Sequence, residues 1–134
     1  MTTATPATPV TASLAAMVLD CADPAALAHF YAGLLSREIV GAEGDGWVEL
    51  SGEPPVLAFQ RVESYQPPSW PNGAPQQAHL DVAVSDFSRW HDRVTELGGA
   101  ALDPVAPPPA EGSRTYRVYA DPAGHPFCLC RCHP

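Results

Sequence analysis

The chain has 134 residues and a mass of 14.2 kDa, a size that suits one domain burying roughly two-thirds of its unfolded surface without help from a disulfide or a metal. Its net charge of −8 and pI near 4.8 repel phosphate backbones and anionic lipid, so neither nucleic acid nor a membrane surface is an expected partner. A hydrophobic share of 46% with no apolar run near the ~20 residues of a membrane span predicts a packed globule, expected in the cytoplasm.

Residues 1–12 are rich in Thr, Ala and Pro and lack the basic start and apolar core of a signal peptide, so they read as a loose tail. A single domain is expected over 13–134. Leu14 to Cys21 has strand character and runs into Asp23-Pro24, a capping residue followed by a proline suited to the first helical turn. Leu27, Phe30, Tyr31 and Leu34 then form one apolar helix face. Arg37 to Gly41, Trp47 to Leu50 and Val56 to Val62 read as three strands separated by glycine-containing turns. Together these elements make a first βαβββ module over 13–62.

A connection over 63–75 follows, carrying Pro67, Pro68, Pro71, Pro75 and Trp70. It is expected to link the modules and form a lip over a cavity. The second module, 76–132, repeats the first. Ala78 to Val84 is a strand, and Asp86 caps a helix carrying Phe87, Trp90, Val94 and Leu97 that ends at Gly98-Gly99. Ala100 to Leu102, Thr115 to Tyr119 and Pro126 to Arg131 complete it, the last two joined by the turn Asp121-Pro122-Ala123-Gly124. Asp23 and Asp86 lie 63 positions apart, and the same shift carries Tyr31 to Val94, Leu34 to Leu97 and Ala16 to His79. The fold class is therefore α+β, two βαβββ modules whose mixed sheets curl around a shared cavity.

Four cysteines, Cys21, Cys128, Cys130 and Cys132, are expected as free thiols in a reducing compartment. The last three alternate along one strand about 6.5 Å apart, which suits buried or surface thiols better than a zinc clip with His133. His79 is the candidate functional histidine, able to act as a base near neutral pH or to contact a ligand. Asp81, two residues on, shares its strand face and either orients the imidazole or is an ordinary surface acid, the second being the expectation. Trp47, Tyr65, Trp70 and Tyr116 are candidate aromatic walls for a planar or apolar ligand, Trp70 with the best case because it sits in a loop. His125 is expected to stabilise its turn, whereas His29 and His91 read as solvated.

Gln76-Gln77-Ala78-His79-Leu80-Asp81, Leu97-Gly98-Gly99-Ala100 and Asp121 through Cys128, with Phe30-Tyr31 and Phe59-Gln60-Arg61-Val62, together resemble the glyoxalase-like and bleomycin-resistance branch of the vicinal oxygen chelate superfamily. The resemblance runs from about Ser13 to Arg131. It implies a metal site with ligands from the first and last strand of each module, where a divalent ion binds two adjacent substrate oxygens. Carried over by position, the ligand places fall on Ala16, His79 and Cys128. The remaining place falls on Gln60 if Phe59-Gln60 matches Phe127-Cys128, or on Phe59 after a one-residue slip.

A set of one imidazole, one amide and one thiol is poor for an oxygen-loving cation. The expectation is a small-molecule-binding protein with a degenerate metal site and no resident cofactor, acting in sequestration or metal-free catalysis. His79 would be its catalytic group, with Gln60, Trp47, Trp70, Tyr116 and Cys128 holding the ligand. The alternative is a metal-dependent lyase, isomerase or dioxygenase holding a divalent metal on His79 and Gln60. The resemblance also implies a homodimer.

Overall fold

The computed structural model describes residues 11–44, 46–73, 76–109 and 114–131, so the tail before residue 11 and the expectations for Cys132 and His133 lie outside the described residues. The elements run β1 (Ala16–Cys21), α1 (Pro24–Leu35), β2 (Ile39–Glu43), β3 (Trp47–Leu50), β4 (Val56–Arg61), β5 (Leu80–Ala83), α2 (Phe87–Glu96), β6 (Ala100–Asp103), β7 (Tyr116–Ala120) and β8 (Pro126–Cys130). Both helices start for the local reason expected. The Asp23 carboxylate accepts from the Ala26 N–H at 3.1 Å, with Pro24 opening the helix, and Asp86 accepts from the Ser88 N–H at 2.9 Å. α1 ends at Ser36, whose left-handed backbone (φ 53°) closes the last turn onto Ala32.

The strands form two four-stranded sheets of like connectivity, β1-β4-β3-β2 and β5-β8-β7-β6, which do not close on each other. In each, the first strand runs parallel to the last strand of its module, and the remaining pairs are antiparallel. The structure is two βαβββ modules, as the repeat predicts. α1 joins them. Its Phe30 and Tyr31 rings pack edge-on against Phe127 of β8, 5.8 and 6.1 Å between centroids, while Tyr31 stacks on Phe59 of β4 at 5.6 Å. Gly99 permits close packing beside this core: a Cβ there would meet Val94 Cγ1 at 2.6 Å and the Phe30 ring at 3.1 Å.

Two expectations are corrected. His91 is buried rather than solvated, its Nδ1 paired with the Tyr119 hydroxyl at 3.0 Å; burial, and then the nearby Arg117 charge, lower its pKa. Arg117 from β7 is itself buried, its Nη2 donating to the carbonyls of Pro104 and Ala106 while its buried Nε has no hydrogen-bond partner among the described residues. Of the cysteines, Cys21 and Cys128 are free thiols as expected, but Cys130 is disulfide-bonded.

Candidate functional site

The parallel register of β5 and β8 sets Asp81 beside Cys128, and the antiparallel register of β7 and β8 sets Val118 on the other side of Cys128. Side chains alternate along a strand, so Leu80 and Phe127 turn toward the core while Asp81, Cys128 and Val118 share the opposite face. His79, two residues before Asp81, falls on that face too. Its Nε2 lies 3.1 Å from the Asp81 carboxylate, with side chains 41% and 55% exposed, so the pair is accessible to a ligand. The possible metal-ligating atoms of His79, Asp81 and Cys128 all lie within 4.8 Å of one another.

Cys128 is half-buried, and burial above all pushes its thiol up to about 11; the Asp81 charge and hydrogen bond add to the rise. It is therefore protonated at neutral pH and is not poised as a nucleophile. The cluster opens into a cavity of about 560 Å³. Trp70 from the connection and Gln76 at the start of the second module form one part of its wall, and Thr115, Tyr116 and Val118 from the approach to β7 and β7 itself form another.

His79, Trp70, Tyr116 and Cys128 thus come together in one pocket. Gln60 and Trp47 do not line it: they are register partners on β4 and β3 of the first sheet, where Gln60 is exposed and the Trp47 indole donates to Glu49 at 3.2 Å. Tyr65 lies outside this pocket and braces a turn, its hydroxyl donating to the Ala123 carbonyl at 2.9 Å and meeting His125 Nε2 at 3.2 Å. His125 in turn pairs through Nδ1 with the buried Asp121 at 2.8 Å, the turn role expected for it.

Asp81, expected as a surface acid, is exposed and also meets the His79 imidazole at 3.1 Å. Its two-residue offset from His79 was the available signal. The registers also shift one correspondence. Asp81 faces Cys128 as Val18 faces Ala58, so Ala58, and not Gln60, is the first-module counterpart of Cys128. At the three places where the second module carries His79, Asp81 and Cys128, the first carries Ala16, Val18 and Ala58. The polar cluster belongs to one module only.

The family described as Glyoxalase-like domain matches residues 16–130, which takes in both modules from β1 to β8. The chain is a glyoxalase-like member of the vicinal oxygen chelate superfamily. No curated protein matches it. Among solved structures, this glyoxalase-like chain is similar to a possible glyoxalase from Bacillus cereus (14% identity, 90% of this chain and 99% of that one, TM-score 0.63). It is also similar to a glyoxalase/bleomycin resistance protein/dioxygenase family enzyme from Burkholderia phytofirmans PsJN (14%, 88% and 97%, 0.65). A third is a mutant of the genomically encoded fosfomycin resistance protein FosX from Listeria monocytogenes, complexed with Mn(II) and 1S,2S-dihydroxypropylphosphonic acid (15%, 92% and 93%, 0.67). These likenesses establish the fold.

The superfamily implies a divalent metal, and the donor set decides what the cluster suits. One imidazole nitrogen, one carboxylate and one sulfur offer few of the oxygen ligands that a hard ion such as Mn²⁺ prefers. They fit a borderline ion such as zinc, which accepts nitrogen, oxygen and sulfur together.

Proposed function

We propose that the chain binds a small organic molecule directly, using the His79–Asp81 pair as its polar anchor and the 560 Å³ cavity as its receptacle. The observation that carries this reading is the placement of an accessible imidazole–carboxylate pair at the floor of a pocket walled by Trp70, Tyr116 and Val118. Such a mostly apolar pocket with a few convergent polar groups is the common form of a small-molecule site. Asp81 fixes the orientation of the imidazole and accepts a hydrogen bond from a hydroxyl or amide of the ligand. Trp70 and Tyr116 offer flat surfaces to the ligand body. The role that follows is sequestration of a compound, or a proton transfer by His79, without the hard cation carried by the Mn(II)-bound FosX relative.

A thermal-shift screen of aromatic alcohols and amides, followed by amide-resonance mapping, tests this. Hits are expected to perturb Asp81, Tyr116 and Cys128 and to lose at least about tenfold in affinity in His79→Ala, about the value of one charge-assisted hydrogen bond. Hits that map elsewhere, or that ignore His79→Ala, overturn the reading.

The clustering of His79, Asp81 and Cys128 favours a second reading, a zinc-dependent activity of the lyase or isomerase kind. His79, Asp81 and Cys128 would hold the ion, which would polarise a ligand oxygen. Isothermal titration then shows one zinc per chain, weakened by Cys128→Ser. Zinc binding indifferent to that substitution removes this reading.

A further inference from the structure

A second cavity, of about 180 Å³, lies between β1 and β5, the edge strands of the two sheets. Met17 and Leu19 of β1, Leu80 of β5, Tyr31 of α1 and Pro68 of the connection supply its apolar lining. It shares Gln76, His79 and Pro126 with the larger pocket, so the two cavities adjoin around these three residues. Besides Gln76 and His79, two further lining residues, Tyr31 and His125, are polar, yet their polar atoms are already spent. The Tyr31 hydroxyl donates to Asp121 at 2.7 Å, and His125 is held at one nitrogen by Asp121 at 2.8 Å and at the other by the Tyr65 hydroxyl at 3.2 Å. Both rings therefore offer carbon surface to a guest, and away from Gln76 and His79 a hydrogen-bonding guest finds little to replace its lost water. An apolar cavity of roughly 150 Å³ is enough for a benzene-sized molecule.

We propose that the ligand of the main pocket carries an apolar arm, a phenyl ring or a short branched alkyl group, that enters this second cavity past His79. The substrate class is then an amphipathic molecule in three parts. A flat body lies against Trp70 and Tyr116, a hydroxyl or amide sits at His79–Asp81, and an apolar arm lodges between the modules. This rests on the reading of the main pocket as a ligand site and names what that site selects. It also gives the first module a part in recognition: it lacks the polar cluster, but Met17 and Leu19 grip the arm.

Two matched probes test it by amide-resonance titration: N-methyl- and N-benzyl-2-hydroxybenzamide, which share a body and an amide and differ in the arm. The benzyl compound is expected to bind at least about tenfold tighter, since each buried methylene contributes about fourfold. It alone is expected to shift Leu19 and Leu80. Met17→Trp, a change on an exposed part of an edge strand that fills the cavity mouth, is expected to bring the affinity ratio near one. Equal affinity of the two probes in the unaltered protein, with both shifting Asp81 and Cys128, overturns the arm and leaves the pocket standing. A benzyl preference that survives Met17→Trp in a protein whose resonances remain dispersed also overturns it, because the arm then lies elsewhere. If neither probe at millimolar concentration shifts Asp81, Tyr116 or Cys128, the pocket reading falls for this class, and the arm with it.

Discussion

At the scale of single residues, the chemistry of the pocket turns on Asp81. Its carboxylate does two things at once: it holds the His79 imidazole at 3.1 Å and helps keep the Cys128 thiol protonated. Burial is the larger cause of the raised thiol pKa, and the Asp81 charge and hydrogen bond add to it. Removing that charge by Asp81→Asn is therefore expected to bring the Cys128 titration midpoint below about 11 without restoring the ordinary value, because burial remains. The rate of iodoacetamide reaction against pH, followed at Cys128 by mass spectrometry, measures this. An unchanged midpoint would mean that Asp81 does not act on the thiol. His79 and its offset to Asp81 were legible because strand alternation is local. The contact with Cys128 was not, since it joins residues 47 positions apart through a parallel pairing that only the folded sheet sets.

At the scale of elements, the helix caps, the two glycine-rich turns and the order of strands could all be read from the sequence, because each depends on neighbours within a few residues. Registers could not. A period of two says which face a side chain takes but not how far along the partner strand it falls, so Gln60 was matched to Cys128 when Ala58 is its counterpart. The same limit hid His91, whose partner Tyr119 lies on β7. The turn before β8 shows how elements are tied together. Asp121, with no exposed side-chain surface, accepts from Tyr31 of α1, from the backbone of Ala123 and from His125, which in turn holds Tyr65 of the connection. Burial, the largest single influence on His125, lowers its pKa, but the hydrogen bond and charge of Asp121, aided by Asp20, outweigh it and leave a net rise. A raised folded-state pKa makes its stabilisation full below the unfolded value of about 6.5, and lost as pH rises through the folded value. His125→Asn is thus expected to cost about 1–3 kcal/mol in urea unfolding at pH 5.5, and progressively less as pH rises through the folded value. A cost that grows with pH would contradict this account of the turn.

At the scale of the whole molecule, the repeat was the most legible feature, and its 63-residue shift already set Ala16 opposite His79. Two modules of like topology suggest two equivalent halves of a site. The chain instead keeps its polar side chains on β5 and β8 and leaves Ala16, Val18 and Ala58 at the matching places of β1 and β4. The fold is that of the vicinal oxygen chelate superfamily, and the cluster at β5 and β8 combines an imidazole, a carboxylate and a thiol. Among the described residues no helix is long and apolar enough to cross a membrane. The single measurement that bears most directly on this account is Mn²⁺-induced broadening of amide resonances at one ion per chain. The account predicts no selective broadening around His79, Asp81 and Cys128. Selective loss of those signals, restored in His79→Ala, would show a working hard-metal site and contradict it.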